Sequence, residues 1–244
     1  MWGFIDCTRY YMSYGEPKVV LHEASLVVGT HEKLGLLVAP GGGKSTIMRM
    51  LAGVDRPNGG RVLRDKGGIP LGYAGSLQPE MTGDENVRNV ASFFGIDPYA
   101  YSAFCYEFSG IGEPYFHQLK VWTALMRGKL AFAMTFGLPA ATFLADSKLA
   151  GGDRPFAEKC MAALHQRLET AGLIFVTSAP RLTRDICDRH AVLVQGKLIE
   201  CGTHEEAEEL FALGTQQAED VFASDIRDPA AGVGDDLMAS FDLA

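Results

Sequence analysis

The fold of this chain is decided by one stretch of sequence, Ala39-Pro40-Gly41-Gly42-Gly43-Lys44-Ser45-Thr46. An apolar run at residues 34–38 precedes it and suits a buried strand, and residues 45–52 follow with the pattern of a helix. Three consecutive glycines let backbone N–H groups converge on an anion, and the helix N-terminus adds partial positive charge. Lys44 can reach the outer phosphates of a nucleotide, and Ser45 can ligate Mg²⁺. The stretch therefore predicts a phosphate-binding loop between a strand and a helix.

This loop matches the P-loop pattern G-x-x-x-x-G-K-[ST] at every defined position except the first. The first glycine of the pattern falls at Val38, and valine cannot enter the positive-φ conformations open to glycine. We therefore expect a loop geometry altered near Val38. The residues that we expect to bind phosphate are Gly41, Gly42, Gly43, Lys44, Ser45 and Thr46. The alternative is a glycine-rich turn that carries a lysine by chance.

Length and composition indicate a globular protein without a nucleic-acid partner. The 244 residues suffice for one large domain, or for one domain with an inserted subdomain. The apolar fraction of 47% and the charged fraction of 21% are ordinary. The net charge of −8 is unevenly placed, because residues 203–244 hold eleven acids against one base. Neither part of the chain has the basic stripe of a nucleic-acid-binding protein, so we expect no nucleic acid among its partners.

The cysteines and the apolar segments indicate the compartment. The five cysteines are odd in number and widely spaced, which argues against a disulfide framework or a zinc ribbon and favours a reducing compartment. The N-terminus lacks the basic and long apolar regions of a signal peptide. The longest apolar run, at residues 131–145, is too short to span a bilayer. We expect a cytoplasmic protein that associates with a membrane only through a partner.

The segment before the loop predicts an antiparallel β region. Strands are expected near residues 3–7 and 19–28, joined by a tyrosine-rich segment that ends at Tyr14 and Gly15. Tyr11 lies in that segment, where its ring could stack on the purine of a nucleotide. An aromatic ring packed under a hairpin is the alternative for Tyr11.

The segment after the loop predicts a strand and then a helical insert. Residues 71–78 indicate a strand that ends in Gln78, and Thr82-Gly83-Asp84-Glu85 has the capping-box spacing that begins a helix. Residues 84–140 are expected to be mostly helical and hold twelve aromatic side chains, which favour a core over a surface for docking another protein. These aromatics are Phe93, Phe94, Tyr99, Tyr101, Phe104, Tyr106, Phe108, Tyr115, Phe116, Trp122, Phe132 and Phe136.

A second candidate ligand-binding residue follows the helical insert. Residues 142–146 predict a buried strand that ends in the carboxylate of Asp146. A strand-terminal aspartate beside a P-loop is suited to hold Mg²⁺, directly or through water. Further elements are expected in chain order as strands at 173–177 and 191–194, a turn at Gln195-Gly196, a strand at 197–200, a helix from 203 to about 213 and an acidic tail at 214–244.

In this order the residues resemble the nucleotide-binding subunits of ABC transporters, and among these the ATP-binding subunits that power export of capsular and O-antigen polysaccharides. The resemblance covers about residues 3–210 and rests on three passages. They are Gly41-Gly42-Gly43-Lys44-Ser45-Thr46 with Met48-Arg49-Met50-Leu51-Ala52-Gly53, Gln78 with Thr82-Gly83-Asp84-Glu85-Asn86-Val87, and Gly151-Gly152-Asp153 with Phe156 and Glu158-Lys159-Cys160. It implies an α/β P-loop fold, an ABC nucleotide-binding domain over residues 1–213 with a mixed core sheet, an N-terminal antiparallel β region and an inserted helical subdomain at about 84–140.

The resemblance also implies ligands and partners. The cofactors would be ATP and Mg²⁺, with Tyr11 stacked on adenine and Lys44 and the loop amides on the phosphates. Ser45, Gln78 and Asp146 would serve the metal, and Gln78 and Asp146 are the catalytic candidates. Asp153 would lie in a dimer-contact loop. The implied partners are a membrane-spanning permease subunit and a second ATP-binding subunit, in a homodimer or a heterodimer at the inner face of the cell membrane.

Three positions depart from the family pattern. Ser147 stands where the family has the acid that polarises the attacking water, and Ser178 stands where it has a histidine that contacts the γ-phosphate. Leu125 replaces the glycine of closest approach in the signature segment, which aligns with Thr123-Ala124-Leu125. Losing a general base costs about 10²- to 10⁴-fold in rate, and losing a preorganised donor costs a similar factor. We therefore expect an ATP-binding subunit with weak or absent hydrolysis.

Other interpretations stay open at this point. An active exporter ATPase could use non-standard residues, with Glu80, Asp153 and Glu158 the nearest carboxylates in sequence. A protein that does not bind nucleotide could keep the fold and use its aromatic subdomain or acidic tail as a scaffold. A P-loop kinase is less favoured, because no lid-like arginine cluster follows the loop.

Overall fold

The computed structural model describes residues 1–13, 16–75 and 77–227, which form two β-sheets and six α-helices. The strands are β1 (Trp2–Ser13), β2 (Glu16–Val28), β3 (Lys33–Leu37), β4 (Gly59–Leu63), β5 (Gly68–Pro70), β6 (Thr142–Asp146), β7 (Gly172–Thr177), β8 (Arg189–Val194) and β9 (Lys197–Cys201). The helices are α1 (Lys44–Leu51), α2 (Gly83–Phe94), α3 (Pro98–Ser109), α4 (Ala124–Gly137), α5 (Arg154–Arg167) and α6 (His204–Arg227). Short 3₁₀ turns lie at Glu113–Phe116, Leu119–Val121 and Pro180–Leu182.

The larger sheet is mixed and places β3, the strand before the phosphate loop, near its centre. Its strand order is β5-β6-β7-β3-β8-β9, parallel from β5 to β8 and antiparallel between β8 and β9. The smaller sheet has the order β2-β1-β4 and is antiparallel throughout. This architecture confirms the predicted α/β fold with a mixed core sheet and an N-terminal antiparallel β region.

Helix α1 packs between the two sheets. Its side chains Ile47, Met50 and Leu51 are buried and share one apolar core with Trp2 and Phe4 of β1. The same core includes buried residues of β6 and β7 from the larger sheet. Because apolar contacts surround the helix on both sides, its N-terminus is held at a fixed place relative to the sheet edge.

The helical insert is the predicted subdomain, but only half of its aromatic side chains form core. Helices α2, α3 and α4 and two 3₁₀ turns fall within residues 84–140, apart from the first residue of α2. Six of the twelve aromatics are buried, which are Tyr101, Phe108, Tyr115, Trp122, Phe132 and Phe136. The other six are exposed, which are Phe93, Phe94, Tyr99, Phe104, Tyr106 and Phe116. The favoured interpretation of the aromatics as core therefore holds for one face of the subdomain only.

The predicted strand at residues 71–78 is wrong. The strand in this region is the shorter β5, and the last ladder bond is donated by Leu71 N–H to the Leu144 oxygen at 2.8 Å. Gly72 then adopts a left-handed conformation (φ +67°), and its N–H donates to Thr135 Oγ1 of α4 at 3.1 Å. This glycine turns the chain out of the sheet and toward α4, so Gln78 lies in a connecting segment. Ser76, within the predicted strand, lies outside the described residues.

Both ends of the chain differ from the predicted element lengths. Strand β1 continues to Ser13, beyond the expected end at residue 7, and Tyr14 and Gly15 lie outside the described residues. Helix α6 continues to Arg227, past the expected end at residue 213. The rest of the predicted acidic tail, residues 228–244, lies outside the described residues, and the domain boundary at 213 stays a prediction. Within the described part of the chain, no helix combines the length and apolarity needed to cross a bilayer.

Two buried histidines join α6 to the sheet. His190 of β8 and His204, the first residue of α6, are each at least 93% buried and meet edge to face, with ring centroids 5.0 Å apart. Burial lowers the pKa of His190, and the neighbouring His204 lowers it further. The hydrogen bond to the Thr183 oxygen and the charges of Glu205 and Asp188 act in the opposite direction, but the net shift is downward. The folded protein therefore favours a neutral His190.

We predict that the free energy of unfolding decreases as the pH falls through the ordinary histidine pKa of about 6.5. The pKa of His190 is lower in the folded chain than in the unfolded chain, so in that window the unfolded chain binds the extra proton. The urea midpoint should fall between about pH 7.5 and about pH 5.5, and His190→Gln should flatten that fall. The exposed His165 offers the matched control, because His165→Gln should keep the wild-type slope. Equal slopes in His190→Gln and the wild type would contradict the prediction.

Candidate functional site

The carboxyl ends of three neighbouring strands meet at one edge of the larger sheet. Strand β7 lies between β3 and β6, in parallel register with both. Asp146 is the last residue of β6, while Val38 and Ser178 directly follow β3 and β7. The parallel register brings these three positions to the same edge. The predicted phosphate loop therefore begins beside the predicted metal ligand.

Two glycines supply the left-handed turns of the phosphate loop. Gly41 has φ +76° and Gly43 has φ +99°. No heavy atom lies within 4 Å of the position that a Cβ on Gly41 would take, so the loop is open there. A Cβ on Gly43 would come within 2.4 Å of Val20 Cγ1, so a side chain is excluded there by both conformation and space.

The N-terminus of α1 faces this loop with unpaired backbone donors. Ile47 N–H donates the first helical hydrogen bond to the Gly43 oxygen at 3.0 Å. The N–H groups of residues 44–46 precede that bond, and an α-helix offers no internal acceptor to them. Together with the helix dipole, these groups favour a bound anion.

Val38 fits the loop without a left-handed conformation. Among the described residues, the non-glycine residues with positive φ are Asp6, Glu23, Ser147 and Gln195, and Val38 is not one of them. Its N–H extends the sheet by donating to the Thr177 oxygen at 2.9 Å, and its side chain is fully buried. Val38 therefore belongs to the strand and to the core, and the left-handed turns of the loop fall on glycines.

The structure brings Ser45 and Asp146 together. Ser45 Oγ donates to Asp146 Oδ2 at 3.4 Å, and Asp146 Oδ1 accepts a hydrogen bond from Ser147 Oγ at 3.0 Å. Hydroxyl and carboxylate oxygens are ligands that Mg²⁺ prefers, so this pair fits the metal. The Lys44 ammonium donates to the Ala39 oxygen at 3.4 Å, which keeps its charge over the loop.

The Tyr11 side chain lies against α1 and is held there by the hydrogen bonds of its hydroxyl group. The hydroxyl oxygen is 3.2 Å from Thr46 Oγ1 and 3.0 Å from Asp55 Oδ2, and Arg49 Nη2 donates to it at 3.0 Å. The guanidinium carbon of Arg9 lies 4.2 Å from the centroid of the ring. The ring therefore neighbours the loop, with Arg9 covering one of its faces, and its contact with the base stays a prediction.

Gln78 is exposed and is positioned through its backbone. Its N–H donates to Asn86 Oδ1 at 2.7 Å, and Asn86 Nδ2 donates to the Gln78 oxygen at 3.1 Å and the Thr82 oxygen at 2.8 Å. Asn86 is 2% exposed and lies on α2, which begins with the predicted Thr82 and Glu85 capping box. Within the described residues, no hydrogen bond joins the Gln78 side chain to Ser45 or Asp146.

The three residues that depart from the expected family pattern, Ser147, Ser178 and Leu125, differ in environment. Ser147 follows Asp146 in a left-handed conformation (φ +62°), and its N–H donates to the Val176 oxygen at 2.8 Å. Ser178 is half-buried just beyond β7. Leu125 lies in the first turn of α4, which Thr123 caps by accepting the Met126 N–H at 3.2 Å, and its side chain is 47% exposed.

The three carboxylates considered above as non-standard catalytic residues, Glu80, Asp153 and Glu158, have other partners. Glu80 pairs with Lys120 at 2.8 Å, and Glu158 pairs with Arg154 at 3.1 Å. Asp153 caps α5 by accepting the Phe156 N–H at 3.1 Å and pairs with Lys129 at 2.6 Å. Lys129 lowers the pKa of Asp153, which keeps this carboxylate ionised. None of the three contacts Asp146 among the described residues.

The sequence analysis missed Asp55, Arg49 and Arg9 as neighbours of the site. Asp55 lies 44 positions from its partner Tyr11. No local spacing rule joins residues that far apart, so only the fold could reveal this contact. Asn86 was named within the resemblance, and its role in holding Gln78 emerges from the geometry.

The fold is that of an ATP-binding cassette. Two dimeric structures of the ATP-binding cassette MJ0796, one in a post-hydrolysis state bound to ADP and Pi, match this chain with TM-scores of 0.68 and 0.66 at 20% identity. Each match covers 81% of this chain and 96% of the MJ0796 chain. The sheet order, the glycine-rich loop on α1 and the strand-terminal Asp146 thus define a P-loop protein of the ABC cassette class.

Curated relatives narrow this class to one family. The ATP-binding protein BexA of Haemophilus influenzae is 32% identical over 191 residues, which cover 78% of this chain and 88% of BexA. The capsule polysaccharide export ATP-binding protein CtrD of Neisseria meningitidis serogroup B is 29% identical over 205 residues, or 84% of this chain and 95% of CtrD. The O-antigen export system ATP-binding protein RfbB of Klebsiella pneumoniae is 28% identical over 202 residues, or 81% of this chain and 82% of RfbB. No protein-family model matches the chain.

The chain belongs to the family of ATP-binding proteins of capsule and O-antigen polysaccharide export, as the sequence motifs indicated.

We predict that Val38→Gly, which completes the P-loop pattern, destabilises the protein and does not strengthen phosphate binding. The substitution removes a fully buried side chain and adds backbone freedom in the unfolded chain, at a total cost of roughly 2–4 kcal/mol in the free energy of unfolding. Urea unfolding and titration with Mg-ATP would measure both effects. Val38→Ala is the matched control, because it removes most of the side chain without the glycine entropy. A tighter nucleotide complex in Val38→Gly would show that valine distorts the loop.

Proposed function

We propose that this chain is the ATP-binding subunit of a polysaccharide-export ABC transporter and that it binds Mg-ATP with slow or no hydrolysis. The observation that carries the proposal is a contrast at one sheet edge. Ser45 and Asp146 are joined beside an open glycine loop, whereas serines occupy the two positions for the catalytic acid and the imidazole. Family membership supports the parts of the proposal that concern ATP binding and export.

The binding role is divided among backbone and side-chain groups. The N–H groups at the start of α1 and the Lys44 ammonium would bind phosphate oxygens, and Ser45 and Asp146 would hold Mg²⁺. The metal, when bound, neutralises phosphate charge. Tyr11, at the side of the same helix, would contact the base. All of these groups lie at the loop or next to it.

We expect slow ATP hydrolysis because, among the residues that the structure describes, no side chain is positioned as a general base. The Ser147 hydroxyl donates to Asp146, and an alcohol does not accept a proton from water at neutral pH. The acids that could substitute are held in ion pairs away from Asp146. Losing a base reduces turnover by about 10²- to 10⁴-fold. Slow hydrolysis follows without any loss of the binding groups.

The assembly that we propose has a second ATP-binding subunit and a membrane-spanning permease, at the cytoplasmic face of the membrane. In this assembly the α4 N-terminus of one subunit would lie against the nucleotide of the other. Leu125 would then present a bulky exposed side chain to the partner's nucleotide. A homodimer would carry this departure at both sites, and a heterodimer with an intact subunit would carry it at one.

The exposed side of the helical subdomain is the surface that we propose for the permease. Phe93 is 85% exposed and Tyr99 is 71% exposed. Tyr99 borders a surface cavity of about 310 Å³, lined by Met81, Glu85, Arg88, Asn89, Pro98 and Tyr99. An exposed aromatic residue beside a concave surface is typical of a protein-binding site.

Replacing these aromatics should weaken the complex with the permease. We expect Phe93→Ser and Tyr99→Ser each to reduce co-purification of the co-expressed permease by about tenfold, because aromatic anchors contribute most to such interfaces. Val54→Ser is the matched control, since Val54 is 71% exposed but lies beyond α1, outside the subdomain. Undiminished co-purification of both aromatic variants would place the permease elsewhere.

The proposed function is tested by separating ATP binding from ATP hydrolysis. We expect the wild type to bind Mg-ATP at least about tenfold more tightly than Lys44→Ala, because Lys44 gives a charge-assisted contact to phosphate. Phosphate release by the wild type should stay close to that of Lys44→Ala. The double variant Ser147→Glu with Ser178→His should raise phosphate release by about 10²-fold or more.

The matched control for this gain is Ser147→Gln with Ser178→His, which has the same shape and lacks the carboxylate. An equal gain in both double variants would rule out general-base catalysis by the new acid. Wild-type turnover well above Lys44→Ala would favour an active ATPase with non-standard residues. Equal ATP affinity in the wild type and Lys44→Ala would favour a scaffold that keeps the fold without binding nucleotide.

A further inference from the structure

Five polar and aromatic residues beside the phosphate loop form a connected group, which we call the Tyr11 cluster. It consists of Arg9 and Tyr11 from β1, Thr46 and Arg49 from α1, and Asp55 from the segment after α1. The cluster joins the small antiparallel sheet to the phosphate helix. Tyr11 is its central ring, and Asp55 is its only acid.

Asp55 contacts three other members of the cluster, which are Tyr11, Arg49 and Arg9. Its Oδ2 atom accepts hydrogen bonds from the Tyr11 hydroxyl at 3.0 Å and from Arg49 Nη2 at 2.8 Å and Nε at 3.1 Å. Arg9 Nη2 lies 3.8 Å from the same oxygen, and the Asp55 side chain is only 19% exposed. The hydrogen bonds from Arg49, and then that from Tyr11, lower the pKa of Asp55, so this carboxylate stays ionised at neutral pH.

The ring of Tyr11 is restrained at two places. Its hydroxyl is held by Asp55, Arg49 and Thr46, and one face is covered by the Arg9 guanidinium at 4.2 Å from the centroid. The ring is also half-buried, because it packs against the apolar core that includes Trp2 and Phe4. The restraint matters because a ring fixed before binding loses little conformational entropy when a partner stacks on it.

The apolar core already fixes α1 without these polar contacts. Ile47, Met50 and Leu51 are at most 2% exposed and pack between the two sheets. The helix therefore does not depend on Asp55 for its position. The group that Asp55 holds directly is the Tyr11 hydroxyl, which it shares with Arg49 and Thr46.

We infer that Asp55 is a positioning residue for nucleotide binding, which holds the Tyr11 ring, backed by Arg9, where a bound base would contact it. The inference rests on the proposed function, because it requires the loop to bind a nucleotide. It goes further by assigning a role to Asp55. The loop and Lys44 would bind the phosphates, as proposed above, and Asp55 would act on the base only through Tyr11.

Two ligands distinguish the base contact from the phosphate contacts in a calorimetric titration of the full-length chain. Mg-ATP has both base and phosphates, and Mg-tripolyphosphate has the phosphates alone. We expect Asp55→Asn to lower the affinity for Mg-ATP by about 5- to 20-fold, because base stacking on the aromatic ring is partly lost. The affinity for Mg-tripolyphosphate should change by less than about twofold. Tyr11→Phe keeps the ring and removes the hydroxyl, so it should show a smaller loss with the same selectivity for ATP.

Asp65→Asn is the matched control. Asp65 is also an acid of the N-terminal region, where it accepts hydrogen bonds from Thr30 and from the N-terminal ammonium at 2.9 Å. Among the described residues, its hydrogen-bond partners do not include a member of the Tyr11 cluster. Its substitution should leave the affinity for both ligands unchanged. If Asp55→Asn fails to fold, as judged by its thermal midpoint, Tyr11→Phe decides the question because it deletes a single oxygen.

The remaining outcomes overturn the inference in distinguishable ways. Equal weakening of both ligands would mean that Asp55 supports the phosphate helix and not the ring. Unchanged ATP affinity in both Asp55→Asn and Tyr11→Phe would mean that the ring is held without them. Equal affinity of the wild type for both ligands would remove the base contact while leaving the proposed phosphate site intact. Binding of neither ligand by the wild type would overturn the proposed function as well.

Discussion

The burial of α1 between two sheets is the constraint on which the rest of the site depends. A helix N-terminus binds an anion only if its free N–H groups stay aimed at one place, and a helix of eight residues has little stability of its own. Burying a large apolar side chain contributes about 1.5–3 kcal/mol, and Ile47, Met50 and Leu51 are all buried. Packing therefore fixes the direction of the helix, and strands β3 and β6, each paired with β7 between them, fix Asp146 relative to Ser45.

Binding and chemistry rest on different kinds of group in this site. The phosphate loop presents mainly backbone N–H groups and glycines, and its conformation does not change when side chains elsewhere are replaced. Ser147 illustrates this, because its N–H donates to the Val176 oxygen at 2.8 Å through the backbone, whatever side chain the position holds. A substitution after a strand can thus remove a proton acceptor and leave the position of the preceding aspartate unchanged. Family membership consequently says more about binding than about turnover.

Local sequence patterns predicted the elements whose boundaries are set locally. The strand at 142–146 and the capping box at Thr82 were predicted at their observed positions, because an apolar run and a cap are each complete within a few residues. The prediction of a strand at 71–78 was wrong because the turn that ends the real strand depends on a residue far away in sequence. Gly72 leaves the sheet where its N–H meets Thr135 of α4, and nothing near residue 72 indicates that contact.

The contacts that orient the candidate site follow the same rule. Asp55 meets Tyr11 across 44 positions, and Asn86 meets Gln78 across eight, in each case through the oxygen or nitrogen of a side chain on or just beyond a helix. The buried Asn86 satisfies its amide by bonding the backbone of Gln78 and Thr82, and Asp55 remains ionised because Arg49 donates to it. Each helix beside the loop thus serves twice, once through apolar packing and once through a polar residue that fixes a neighbouring segment. The first role can be predicted from periodicity, and the second requires the fold.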